Sequence, residues 1–245
     1  MAIKNKDFIE IEFTGRIKET EKVFDTNDKE AAKAAGIFDE KAKYKPIIIC
    51  VGEEDVVKGL DESFLGKEAG KSYSVEVPYD KGFGAKNPKL VKLMSLAKFQ
   101  KENVQPMPGL QLDFGGTVGT IVTVSGGRVM VDFNHPLANR NLRYDVKIKR
   151  IITDDKEKLE GFLDFYLGQK QEVELKEGKA VITTKEELPE EVKKAIKEKA
   201  MARIAAIKEI DFASEKKPEE KKEASKPEEP KEEKPKEEKE TAKEK

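Results

Sequence analysis

Two alternating runs that lie far apart in the chain constrain the fold more than any other feature. Residues 8–13, FIEIEF, and residues 142–151, LRYDVKIKRI, each place apolar and charged side chains in turn. That two-residue period belongs to strands with one buried and one wet face. The second run resembles the first more than it resembles the segment just before it. A host domain is therefore expected at 1–85 and 137–152, interrupted by an insert at 86–136.

Within the host, residues 46–51, PIIICV, read as a buried strand stopped by Gly52 and the acids after it. Residues 72–78, SYSVEVP, alternate again. Asn27-Asp28-Lys29-Glu30 has the form of a capping box. Alanines follow and then Gly36, which predicts a short helix over 28–35. Residues 56–65, VVKGLDESFL, read as a second short helix, and 80–89 as a loop.

The insert opens with LVKLMSLAKF at 90–99, the most hydrophobic stretch that lacks strand alternation. Short β segments separated by Gly115-Gly116 and Gly126-Gly127 follow to residue 133. Residues 153–214 read as a small α+β domain. Leu159, Phe162, Leu163 and Tyr166 lie on one helix face, and Glu177-Gly178-Lys179 turns a hairpin. Pro189 opens a helix striped by Val192, Ile196, Ala200 and Ile204, and 207–212 close with a strand. Residues 215–245 hold 11 Lys, 12 Glu and 4 Pro with no large apolar side chain, so this tail is expected to be disordered.

Composition narrows the chemistry. The chain carries 48 basic and 49 acidic groups, a net charge of −1. Such a balance gives no global attraction to nucleic acid or to an anionic membrane. There is one His, His135, and one Cys, Cys50. A Ser-His-Asp or Cys-His site would have to use His135, and a Cys/His zinc site lacks ligands. No metal or cofactor is expected. His135, in Asp132-Phe133-Asn134-His135-Pro136, reads best as a residue that fixes a domain crossover by hydrogen bonds. No apolar run approaches the length of a membrane span, and the start of the chain shows no secretion signal. The expected location is the cytoplasm, which the cysteine usage also fits. Gly66-Lys-Glu-Ala-Gly70-Lys71-Ser72 looks like a phosphate loop, but its glycines are too close, Glu68 opposes an anion, and a strand follows where a helix is needed. It reads as a turn.

Phe13, Phe24, Val56, Val57, Leu60, Phe83 and Tyr144 recur through the host. Spacing alone does not separate a filled core from an apolar pocket. Here whole motifs help. IEFTGRI, VFDTN, VVKGLDESFLGKEAGKSYSVEVP and GFG resemble the successive motifs of FKBP-type peptidyl-prolyl cis-trans isomerases. DFNHPLANRNLRYDVKIKRI resembles the last part of their SlyD-like bacterial and archaeal branch, whose longer archaeal members also have extra segments like 28–45 and 153–212. SlyD carries a His-rich metal-binding tail, which the Lys/Glu/Pro tail here does not match.

The resemblance implies an α+β fold in which an antiparallel sheet wraps a short helix, carrying an inserted small β domain and a C-terminal α+β domain. It implies an Xaa-Pro isomerase with chaperone activity that acts without a cofactor on unfolded or nascent polypeptides. The alternative is an FKBP-fold holdase with weak isomerase activity. The implied pocket is lined by Phe13, Phe24, Ile47, Val56, Val57, Leu60, Phe83 and Tyr144, with Asp25 as the polar wall. In the family the position of Leu60 can be Trp and that of Phe83 is commonly Tyr. The insert resembles the branch's chaperone module, with client contacts expected from Leu90, Val91, Leu93, Met94, Leu96, Phe99 and Met107. About half of these are expected to serve the insert's own core. The 153–214 domain could also join two copies of the chain.

Overall fold

A computed structural model describes residues 1–184 and 188–214. The disorder expected over 215–245 lies outside the described residues. The two alternating runs become the centre of the host sheet. β1 (Phe8–Ile17) lies antiparallel to β9 (Leu142–Ile152), with Gly15 opposite Tyr144 and Phe13 opposite Val146. Their pairing breaks at a bulge between Glu10 and Ile11. β4 (Ser72–Val77) covers the other edge of β9. On its far edge β1 carries two short strands end to end. β3 (Ile47–Cys50) pairs with its first half, and β2 (Val23–Thr26) with its second. Ile9, Ile11, Val75, Val77, Val146 and Ile148 form the buried face, and α2 (Lys58–Ser63) closes it with Leu60 and Phe64.

The first helix, α1 (Lys29–Ala34), starts one residue later than its capping box suggests. Asp28 is the cap, accepting from the Glu30 and Ala31 amides at 2.8 and 3.0 Å. Asn27 is buried instead and ties strands together. Its Oδ1 accepts from the Phe13 amide at 2.7 Å, and its Nδ2 donates to the Ile11 carbonyl at 3.0 Å. The phosphate-loop look-alike is a turn into β4, where Lys71 is paired with Glu68 and the Gly70 amide donates to the Ile148 carbonyl.

The insert departs from expectation at its start. Residues 90–99 are a strand followed by a helix, β5 (Val91–Ser95) and α3 (Leu96–Lys101). β6 (Gln111–Asp113), β7 (Val118–Ser125) and β8 (Arg128–Asp132) complete a sheet in the order β5-β8-β7-β6. Its core is small: Phe99, Ile121, Val129 and Val131.

Beyond β9, α4 (Asp155–Leu167) is capped by Asp154 and ends on left-handed Gly168. β10 (Glu172–Lys176) and β11 (Lys179–Thr184) form the hairpin, α5 (Glu190–Arg203) follows, and β12 (Glu209–Ser214) returns parallel to β11. This segment does not close a core by itself. Phe8, Cys50 and Ile152 of the host lie in one cluster with Leu159, Phe162, Leu163, Ile182 and Ile196. Gly161 seats α4 on the host sheet, since a Cβ there would stand 2.6 Å from Ile48 Cβ. Ile196, Ala200 and Ile204 are buried within the chain, while Val192 is exposed. Among the described residues no helix is long and apolar enough to cross a membrane.

Candidate active site

The site begins at a missing side chain. A Cβ on Gly15 would stand 2.7 Å from Phe24 Cζ and 3.0 Å from Tyr144 Cε1. Without one, the two rings close over the strand, edge to face, with centroids 5.8 Å apart at 87°. Phe24 meets Phe83 in the same manner at 6.4 Å and 87°, and Phe13 leans on Tyr144 at 6.3 Å. The result is a cradle of ring edges and faces packed against the host core.

Each ring is supplied by a different element. Phe13 and Tyr144 come from the two central strands, Phe24 from β2, and Phe83 from the loop after β4. That loop is tied down by the Gly84 amide donating to the Tyr79 carbonyl and the Asn139 amide donating to the Gly84 carbonyl, both at 2.8 Å. Val56 and Val57 stand on the loop between β3 and α2, half-buried against the same cluster, and Ile47 at the start of β3 does likewise. Leu60 is fully buried beneath them. Among the described residues no backbone carbonyl accepts from the Val56 amide.

Asp25 pairs with Gly15 across β1 and β2, which sets it on the rim. The residue as a whole is exposed, yet desolvation pushes its carboxyl above the usual range, opposed by a backbone hydrogen bond at Thr26. Tyr144 is 4% exposed, and burial followed by the charge of Asp25 pushes its phenol up. The cradle is thus apolar with one weakly solvated carboxyl at its edge.

One neighbour is absent from the sequence reading of the pocket. The His135 ring stacks on Phe83 with centroids 4.4 Å apart and planes at 5°, and its Nδ1 accepts from the Leu137 amide at 3.2 Å. The crossover role expected of His135 is performed partly by this stack, which no spacing in the sequence reveals. In the insert, Leu90, Leu93 and Met107 are exposed. Met94 and Leu96 pack against the insert core, and Val91 is half-buried. Phe99 is 3% exposed at the centre of that core, so burial removes it from the client-contact set.

A curled antiparallel sheet over a short helix carries the aromatic cradle, and the chain's relatives are prolyl isomerases. A family model described as FKBP-type peptidyl-prolyl cis-trans isomerase matches residues 1–102, and one described as FKBP26, IF domain, matches residues 92–137. The short-type peptidyl-prolyl cis-trans isomerase of Methanocaldococcus jannaschii is 28% identical over 149 residues, 61% of this chain and 94% of that one. The FKBP-type peptidyl-prolyl cis-trans isomerase SlyD of Treponema pallidum is 26% identical over 161 residues, covering 63% and 82%. Among solved structures, the three FKBP domains of wheat FKBP73 align with TM-score 0.33 and 15% identity, over 63% of this chain and 42% of that one. Residues 1–102 of the chain thus carry an FKBP-type peptidyl-prolyl cis-trans isomerase domain.

Proposed function

We propose that the chain accelerates cis-trans rotation of Xaa-Pro bonds in unfolded polypeptides, and that the insert holds those polypeptides while the cradle acts. The observation that carries the isomerase part is the Phe24–Phe83–Tyr144 cluster closed over Gly15, with Asp25 on its rim.

Rotation is slow because amide resonance gives the C–N bond partial double-bond character, with a barrier of roughly 18–20 kcal/mol. A twisted amide has lost that resonance and much of its dipole. An apolar cradle therefore favours it over either planar form, which is differential binding of the transition state. The ring edges carry partial positive charge and suit a carbonyl oxygen. The Val56 amide, which meets no backbone carbonyl among the described residues, would donate to a substrate carbonyl. Val57, Ile47, Phe13 and Leu60 shape the apolar walls and floor, and Asp25 fixes orientation from the rim. No proton is transferred and no bond breaks.

The insert exposes several apolar side chains. Leu93 and Met130 are cross-strand partners, and Leu93 is 56% exposed. Leu90, Met107 and Val118 are exposed as well, Met107 at 57%. The exposed Leu93–Met130 pair, with its adaptable methionine, suits clients of no fixed sequence. Work in the cytoplasm is consistent with a lone, buried, free Cys50. The holdase alternative draws on the same side chains and on Phe83, which offers no hydroxyl to a substrate.

The test is catalysis of proline-limited refolding by the full chain, beside isomerisation of an Xaa-Pro tetrapeptide. Activity on both supports the proposal. Suppression of aggregation with no rate gain on either would leave the holdase.

A further inference from the structure

The loop that carries Val56 and Val57 is strained, and part of what holds it comes from the far end of the chain. Gly52 and Glu54 both have positive φ, +87° and +56°. Glu54 is not a glycine, so its left-handed backbone persists only where the surroundings over-determine it. Two clamps do so. From the helix that follows, Asp61 accepts from the Gly52 and Glu54 amides, both at 2.9 Å. From the C-terminal segment, Arg203 donates through Nη2 to the Glu53 carbonyl at 3.2 Å and through Nη1 to Asp55 Oδ1 at 2.7 Å.

This second clamp is built to be rigid. The side chains of Asp55 and Arg203 are 4% and 5% exposed. The Asp55 carboxylate also accepts from the Tyr166 hydroxyl at 2.9 Å and from the Cys50 amide at 2.9 Å. The guanidinium lies over the rings of Phe162 and Tyr166, at 5.4 and 5.5 Å. A planar fork that is stacked and donates to two separate acceptors is a task for Arg, not Lys. Burial of an ion pair is a weak source of stability, since desolvation offsets the attraction. Such a pair gives direction instead, and here it points at the residue directly before Val56.

We propose that Arg203 is a positioning residue of the isomerase site, clamping Glu53 and Asp55 so that Val56 and Val57 stand at fixed places beside the aromatic cradle. The inference rests on the isomerase reading above. It makes the C-terminal segment part of the catalytic scaffold, with Arg203 acting through Glu53 and Asp55. Adjacent Cα atoms are about 3.8 Å apart, so a shift at Asp55 passes almost undiminished to Val56. Misplacement by about 1 Å costs up to roughly 10²-fold in rate.

The experiment uses the full chain with Arg203→Lys, Arg203→Met and Tyr166→Phe, plus Ile182→Ala as a core variant that makes none of the clamp's hydrogen bonds. Tetrapeptide isomerisation is measured well below each melting temperature, and amide hydrogen exchange is followed at residues 53–57. Arg203→Lys is expected to lower kcat/KM about tenfold, mainly through kcat, and Tyr166→Phe about threefold. Exchange at 53–57 should accelerate in both. Ile182→Ala should lower the melting temperature with kcat/KM and loop exchange unchanged. Should Arg203→Met fail to fold, the other two variants decide. Unchanged loop exchange, kcat/KM within about twofold in every folded Arg203 and Tyr166 variant, or an equal loss in Ile182→Ala would overturn the proposal. A wild-type chain inactive on peptide and protein would overturn the isomerase reading itself. Faster loop exchange with full activity would sink the positioning role alone.

Discussion

A methyl group on Gly15 would press on two rings at once, 2.7 Å from Phe24 and 3.0 Å from Tyr144. Gly15→Ala therefore cannot be absorbed by moving one flexible side chain. It is expected to cost about 1–3 kcal/mol by overpacking, and to lower peptide isomerisation by more than the stability loss explains. Thermal melts beside tetrapeptide assays would separate the two. Asp25 tests the rim. Its folded-state pKa is raised by desolvation, so the ionised form opposes folding above that pKa and the opposition fades as pH falls through it. Asp25→Asn should thus raise the melting temperature at neutral pH, have no effect below the ordinary Asp range, and lower isomerase activity. A variant that is both more active and more stable would show that Asp25 does not serve the site. Tyr144 is less suited to truncation, because at 4% exposure Tyr144→Ala opens a cavity in the host core. Phe13, Phe24, Phe83 and Tyr144 could be named from motif resemblance. Their mutual packing and the stack of His135 on Phe83 could not, since both depend on how segments apart in sequence approach one another.

Among the elements, those with a clean period were readable and those without it were not. The alternation of 8–13 and 142–151 identified β1 and β9, though not the bulge at Glu10 that shifts their pairing. Residues 90–99 misled because an apolar run of that length fits a strand as well as a helix. Its Val91, Leu93 and Met94 entered β5, and the helix began only at Leu96 behind a Ser95 cap. Arg203 carries no signal of its own beside an apolar stripe that reads as ordinary helix packing. Nor did any local signal show that β12 returns parallel to β11. The shared cluster of Phe8, Cys50 and Ile152 with α4 and α5 has a direct consequence. Leu159→Ala, fully buried in α4, should cost about 2–5 kcal/mol and lower the stability of the host with it, in one cooperative transition. Separate transitions for the host and for 153–214 by circular dichroism and tryptic cleavage would contradict a common core.

At the scale of the molecule, the insert hangs from the host by two adjacent chains whose hydrogen bonds are mutual. The Asn87 amide donates to Asn134 Oδ1 at 2.7 Å, and Asn134 Nδ2 donates back to the Asn87 carbonyl at 3.1 Å. Lys86 pairs with Asp132 at 2.8 Å just beyond. This neck determines how the insert can be removed without disturbing the cradle. Excision of 86–136 would take His135 away from Phe83 and confound insert with site. Replacing 88–133 by a two-residue Gly-containing turn keeps Asn87, Asn134 and His135, and joins chain ends already held together by the Asn87–Asn134 hydrogen bonds. A tetrapeptide is too short to touch both the cradle and the exposed Leu93 and Met130, so its isomerisation should stay within several-fold of the full chain. An unfolded protein reaches both, and holding it on the insert raises the local concentration of its prolines at the cradle. Loss of that second contact should slow catalysed refolding of a proline-limited protein by about 10²-fold and abolish suppression of aggregation. Equal losses on peptide and protein would mean that the insert only braces the Phe83 loop. Full activity on protein would leave the exposed Leu90, Leu93 and Met107 without a client role.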